Sequence, residues 1–489
     1  MNNKNFRYLF LIIAFTLNLF AGSKWNIPLA AWIAPIFFIR FYRDTEKAGR
    51  NFLLLWLASA LSTIISWHGA TLFPLGVEIA FFFAVAPIGL IPYVIDRIYY
   101  RRFGSTAWLT LIFPIALTAA DFFSSSGSPL GTFGAVGYSQ RDFLPAIQIV
   151  SVAGIWGITF VVGWFASLMN HLWDHGFKFT RLSLTFAGLL ALIIGLGFTR
   201  TLLPTQPKHT ATVAGFSLPN GTMSKMLNQL NVEEDEAGFR QAVDELHAQE
   251  LSQISKLAGD GANIVVLQEG AVIGLSDQVE KFLTDVSTIA IEKNIYVVVP
   301  TFDLGKSPAE NKVHIVDPTG AVVLTHTKYG GNMFEGTLKG NEILQTVDTP
   351  YGKLSAIICW DADFPSVVKQ AGAQNTDLLF IPSQDWLGVK DIHAGMATFR
   401  AVENGMSIFR QTGQGVSVVT DAYGNQFNRV DSFEKETTGE FTSIQIVQTP
   451  IGSANTIYPV IGDALGNIML VGLLGLLIGL WTTRKRNVK

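Results

Sequence analysis

The chain is 489 residues long, 49% hydrophobic and only 15% charged, against the ~25% charge usual for soluble domains. A wholly soluble protein is therefore excluded, and the net charge of −3 gives no reason to expect a nucleic acid as partner. The single cysteine excludes an intramolecular disulfide and a cysteine-rich zinc cluster.

Read from the N-terminus, apolar stretches approach the ~20 residues needed to cross a hydrocarbon core. They lie at roughly 6–22, 27–41, 51–68, 77–95, 107–123, 145–170, 182–202 and 458–481. The first reads as an uncleaved helix rather than a signal peptide, because a second hydrophobic segment begins at once. The pattern predicts an α-helical membrane domain of about eight transmembrane helices. Seven fall in an N-terminal domain, 1–204; an α/β domain follows over 205–457, and 458–489 holds a last helix and a basic tail.

Basic residues orient these spans. With the N-terminus in the cytoplasm, inner loops hold Lys4 and Arg7; Arg40, Arg43, Lys47 and Arg50; Arg97, Arg101 and Arg102; and Lys178 and Arg181. The tail adds Arg484, Lys485, Arg486 and Lys489, while the short outer loops have only Lys24 and Arg141, with Arg200 at an outer helix end. The positive-inside rule then predicts a multi-pass protein of the cytoplasmic membrane, with 205–457 on its extracytoplasmic side.

Pro204 and Pro207 mark the exit from the seventh span. Beyond them, Ala211–Phe216 reads as a strand and 233–258 as a helix. Asn263–Leu267 is an apolar strand with the polar tip Gln268-Glu269, 277–293 is helical, and Ile295–Val299 is another buried strand. Lys312–Val316 and Ala321–Leu324 form a hairpin about Asp317-Pro-Thr-Gly320. Leu354–Ile358 leads into Cys359, a helix follows near 366–373, and then the strand Asp377–Ile381. Strand–helix alternation with continuous apolar strands predicts a sheet covered on both faces. In such folds ligands gather at strand carboxyl ends, where Glu269 and Cys359 fall.

Three side chains at ends of apolar strands form a chemical set. Cys359 is a nucleophile, and Glu269 is a base able to take its proton and return it to a leaving group. Lys328 is a cation for the developing oxyanion, and the backbone N–H of Trp360, just past the cysteine, completes the hole. Singly, each residue has a plainer reading, as a core thiol or as surface charges. Eight histidines show no metal-ligand spacing, so no metal is expected, and no cofactor is implied. Trp360 and Trp386 are candidates to line an apolar pocket at the site, with plain core as the alternative.

Glu269, Lys328 and Cys359 resemble the Glu–Lys–Cys triad of the nitrilase, or carbon–nitrogen hydrolase, superfamily. Cys359-Trp360-Asp361-x-x-Phe364-Pro365 resembles its signature about the nucleophile. Glu335 resembles a second glutamate found near the lysine, and Arg400-Ala-Val-Glu403-Asn404-Gly405 through Arg410 also fits. The resemblance covers about 210–445 and implies an αββα sandwich working through a cysteine acyl-enzyme, with Glu335 and Asp361 supporting the triad.

The membrane-embedded layout, with Leu130–Gln140, Gln148 and Gly154-Ile-Trp-Gly157, is similar to the apolipoprotein N-acyltransferase family. That likeness implies a phospholipid acyl donor, a Cys359 thioester, and the amine of a diacylglyceryl-modified lipoprotein as acceptor, all at the membrane bilayer. Departures are Leu267-Gln268 before Glu269, Trp360-Asp361 after the cysteine, and a Lys328–Cys359 interval of 31 residues. Trp360-Asp361 looks more like soluble amidases, and with the short interval it keeps a second reading open, a membrane-tethered amidase that uses water.

Overall fold

The computed structural model describes residues 3–43, 47–202, 207, 209–229, 235–434 and 441–486. Pro204, Lys489 and the side chains of Lys4, Arg484, Lys485 and Arg486 lie outside the described residues. The chain forms two compact units: Met1–Ser128, Thr132–Leu203 and Ile461–Lys489 make one, Pro129–Gly131 and Pro204–Val460 the other.

The first unit is helical. All eight apolar stretches contain a helix, but among the described residues six helices are long and apolar enough to cross a membrane. These are Ala48–Trp67, Leu75–Phe103, Ala107–Ser126, Val150–Asp174, Arg181–Leu202 and Ala464–Thr482. The chain is a membrane protein. The other two helices, Asn3–Asn18 and Pro28–Arg43, have 16 residues each, about 24 Å at a rise of ~1.5 Å per residue. The first expected span runs too far because the chain turns after Asn18: Gly22 takes a left-handed φ of 93°, and Ile27 N–H closes the turn onto Phe20 O at 2.8 Å.

Arg43 and Asp96, both buried, form a two-pronged ion pair at 2.6 and 2.7 Å. That pairing offsets the cost of taking both groups out of water. The last helix is tied to the others by polar bonds at two levels, Trp156 Nε1 to Asp463 Oδ1 and Tyr99 OH to Leu476 O, each 2.7 Å. Glycine permits close approach elsewhere: a Cβ on Gly137 would lie 2.3 Å from Ile155, and one on Gly197 would lie 2.0 Å from Pro145 O.

The second unit is an αββα sandwich. One sheet orders its strands Thr442–Ile451, His209–Ser217, Ile264–Leu267, Tyr296–Asp303, Glu310–Val316 and Val322–Thr327, with Val272–Gly274 also on Tyr296–Asp303. The other runs Gln426–Asp431, Val416–Thr420, Ser407–Arg410, Leu378–Phe380, Gly352–Ala356 and Val347–Thr349. Each centre is parallel, as where Val213 pairs Ile264 and Leu354 pairs Leu378. Central strands are therefore buried on both faces and read as continuous apolar runs.

Between the sheets pack Val213, Val266, Val298, Ile315, Leu354, Phe380 and Phe409. The outer faces are covered by Glu236–Gly259 and Ser276–Lys293 on one side, and by Pro365–Ala373 and Lys390–Asn404 on the other. The elements expected from sequence are present with ends moved by a few residues. The largest extension is Tyr296–Asp303, which runs past Val299 because its antiparallel partner continues to Glu310.

Candidate active site

The strand Ile264–Leu267 delivers Glu269 to its carboxyl end, where the side chain is buried. The hairpin strand Val322–Thr327 delivers Lys328, only 1% exposed. Lys328 Nζ donates to Glu269 Oε1 at 2.6 Å and also contacts Glu335 Oε1. Asn311 Nδ2 bridges the same carboxylates, at 2.9 Å from Glu269 and 3.2 Å from Glu335. Two acids and one amine thus share one hydrogen-bonded cluster. Burial by itself would lower the Lys328 pKa, but Glu269 and Glu335 outweigh it and hold the ammonium well above its ordinary value. Burial, and secondarily the negative charge of Glu269, raises Glu335 despite the attraction of Lys328.

Cys359 follows the strand Gly352–Ala356 and is buried. Its φ of 43° lies in the left-handed region, which costs a non-glycine residue about 1–3 kcal/mol and persists only where its surroundings impose it. Here Cys359 N–H is fixed on Pro382 O at 2.9 Å, and Asp361 N–H on Ile358 O at 2.8 Å. Burial, then the negative charge of Glu269, pushes the thiol well above its usual pKa, against the pull of Lys328. The resting group is a thiol that needs a base.

One residue links that thiol to the carboxylate. Gln384 donates its backbone N–H to Glu269 Oε2 at 2.9 Å and accepts a weak 3.6 Å contact from Cys359 Sγ at its own carbonyl. Glu269 and Cys359, 90 positions apart in sequence, therefore flank a single peptide unit pair. Glu269, Lys328, Glu335 and Cys359 are brought together.

Asp361 acts through backbone. Its Oδ1 accepts from Tyr329 N–H at 2.9 Å and Gly330 N–H at 2.7 Å; Oδ2 accepts from Ile358 N–H at 2.9 Å and lies 2.8 Å from His326 Nε2. One fully buried carboxylate thus clamps the residues just after Lys328 to the residue just before Cys359. Trp360 stacks on Phe334 with centroids 5.4 Å apart and planes 13° apart, and meets Trp386 at 6.3 Å. Its indole N–H donates to Leu130 O at 3.3 Å.

Sequence reasoning missed Asn311, Gln384, His326, Asp385 and His393, and gave Arg410 only as the end of a matching run. Asp385 receives both amine hydrogens' worth of Arg410 Nη2, at 2.9 Å to each oxygen, and lies 2.9 Å from His393 Nδ1. Arg410 and His393 keep the Asp385 carboxyl below its ordinary pKa although burial works the other way. Gln384 contributes main-chain atoms, so its side chain carries no signal; Arg410 had one, its place in the run that begins at Arg400.

Comparison with known proteins follows the same division. Residues 15–168 match the model of the apolipoprotein N-acyltransferase N-terminal domain, and 226–451 that of carbon–nitrogen hydrolase. The apolipoprotein N-acyltransferase of Haemophilus influenzae is 24% identical, over 89% of this chain and 88% of that protein. Those of Pasteurella multocida and Borreliella burgdorferi are 23% and 22% identical, covering 92% and 78% of both chains respectively.

Over both parts the chain is similar to the apolipoprotein N-acyltransferase family. That family sits within the nitrilase superfamily, and both of its parts, helical and αββα, are present here. Among solved structures, an amidase from Nesterenkonia sp. is similar over 55% of this chain and 98% of its own, at 16% identity and a TM-score of 0.39.

Proposed function

We propose that this chain is a membrane-bound N-acyltransferase that carries a fatty acyl group from a phospholipid, as a thioester on Cys359, to the N-terminal amine of a diacylglyceryl-modified lipoprotein. The observation that carries this reading is the Gln384 bridge, which places a buried carboxylate and a buried thiol on one backbone unit with Lys328 on the same carboxylate. Full-length similarity to named N-acyltransferases supports transfer over hydrolysis.

In the first half-reaction Glu269 takes the thiol proton as sulfur attacks the ester carbonyl. The oxyanion forms against the Lys328 ammonium and the Trp360 backbone N–H. Collapse breaks the C–O bond, and Glu269 hands its proton to the departing alkoxide, releasing lysophospholipid and restoring the carboxylate. In the second half the amine attacks the thioester, the C–S bond breaks, and sulfur regains a proton through Glu269. Glu335 and Asn311 keep Lys328 and Glu269 in register. Trp360, Phe334 and Trp386 supply apolar surface that shields the thioester from water.

The reading puts 205–457 outside the cytoplasm. It is supported by the basic residues gathered at one end of the spans. The test is to incubate membranes with phospholipid labelled in its acyl chain. Hydroxylamine-sensitive label is expected on the wild type and not on Cys359→Ala, with N-acylated peptide formed on adding a diacylglyceryl peptide. Free fatty acid or ammonia without N-acylated peptide supports the water-using amidase instead, and absence of thioester label refutes the acyltransferase.

A further inference from the structure

The acceptor sets a proton problem that the Glu269 cycle does not solve. An α-amine, with an ordinary pKa of ~7.7–8.0, arrives largely as ammonium at neutral pH. Thioester plus R–NH3+ gives amide, thiol and one surplus proton. Two protons leave nitrogen: one ends on sulfur by way of Glu269, and the other needs a second acceptor beside the reacting centre.

The structure holds one on the other flank of the nucleophile. One donor-type atom from each of Cys359, Asp385 and His393 lies within 4.8 Å of the other two. His393 sits on the helix Lys390–Asn404, its ring edge-on to both Trp360 and Trp386 at about 6 Å. Its Nδ1 is 2.9 Å from Asp385 Oδ1, and its Nε2 is 3.8 Å from Asp363 Oδ2. An imidazole therefore stands between two carboxylates, all three buried. The two carboxylates differ. Asp385 is neutralised by Arg410 and serves as a fixed partner. Asp363 is pushed by burial up to about 7, with His393, Arg400 and Arg410 opposing the shift. The charged and titratable groups about the ring are thus Asp385 with Arg410 behind it, Asp363 with Arg400 nearby, and Cys359.

We propose that His393, held by Asp385 and coupled to Asp363, is the relay that removes the surplus proton of the incoming ammonium during the transfer half-reaction. The inference rests on the N-acyltransferase reading. The first half-reaction, a thiol attacking an ester, generates no surplus proton and does not call on the relay. An imidazole accepts a proton on one ring nitrogen while the other keeps its hydrogen bond, the arrangement a relay needs. The ring takes the surplus proton, ionised Asp363 beside Nε2 accepts it in turn, and it is released to bulk solvent as the amide product leaves, so the pair gains and loses one proton per turnover.

The experiment uses full-length protein in phospholipid vesicles. Wild type, His393→Gln and Asp363→Asn are each loaded with labelled acyl chain from phospholipid, then mixed with a diacylglyceryl peptide bearing a free amine, in single turnovers from pH 6 to 9.5. Expected are wild-type levels of thioester on both variants and transfer slowed at least tenfold at pH 7 for His393→Gln. That deficit narrows to about twofold at pH 9.5, where the amine arrives neutral. Asp363→Asn follows the same profile with a smaller deficit, and it tests the relay alone if His393→Gln fails to fold. A deficit of equal size at every pH, no deficit, or equal loss of thioester formation overturns the relay. A wild type that forms no thioester overturns the N-acyltransferase reading itself, a result separate from any of these.

Discussion

Asp361→Asn removes one negative charge and turns one acceptor oxygen into a donor while keeping the side chain's shape. The less costly amide orientation keeps oxygen toward Tyr329 and Gly330 and turns NH2 toward Ile358 N–H and His326. One buried backbone N–H then loses its acceptor, at roughly 1–3 kcal/mol, and the bonds that remain lose charge assistance worth about 1–2 kcal/mol more. The sum, about 2–5 kcal/mol, is a large fraction of the ~5–15 kcal/mol that holds a typical domain together. For a unit of this size it corresponds to roughly 5–15 °C in thermal midpoint. The clamp joins Tyr329 to Ile358, so Lys328 and Cys359 lose register together. Thioester labelling of the folded fraction should fall by more than the loss of fold explains. The assay is thermal unfolding of purified full-length protein, paired with acyl labelling below the midpoint. A variant melting within about 2 °C of wild type and labelling normally would refute the clamp.

Glu269→Gln should abolish thioester formation and at the same time make Cys359 more acidic. The negative charge of Glu269 raises the thiol while Lys328 lowers it, so the pH profile of alkylation by iodoacetamide shifts downward; an upward shift contradicts the assignment. His247 and His314 are held by burial at about 4, below the ordinary value near 6.5. The unfolded chain therefore binds protons first on acidification, and stability present above pH 6.5 is lost as pH falls towards 4. Each contributes about 3 kcal/mol at most, and His247→Gln should flatten the acid limb of a melting-temperature profile; an unchanged limb argues against it. In the membrane unit, Gly197→Val sets a side chain where Pro145 O already lies 2.0 Å from a Cβ position. It should loosen the helix Arg181–Leu202, read as earlier proteolysis in detergent, whereas Gly195→Val, with open space, should not.

Local pattern carried much of the architecture. Apolar runs located eight helices and the central strands because burial on both faces of a parallel sheet, or in lipid, demands unbroken hydrophobicity. It misjudged the first span, where Gly22 turns the chain inside an apolar stretch that composition alone reads as helix. Glu269, Lys328 and Cys359 were legible because reactive side chains stand out at the ends of apolar strands. Asp361 was legible as a motif member, but its task, tying the distant residues His326, Tyr329 and Gly330 to its own neighbour Ile358, exists only once the two segments meet.

The sequence by itself singled out Glu269, Lys328 and Cys359 as the candidate reactive set, since polar groups stand out at the tips of apolar strands. Only the tertiary structure decided how they are wired. Gln384 joins Glu269 to Cys359 through main-chain atoms, which every residue type possesses and no sequence pattern marks. Asp363, His393 and Asp385 meet only through contacts between a turn, a helix and a strand end. Hydrogen bonds are made by distance in space, and that distance is fixed by the packing of two sheets rather than by spacing along the chain.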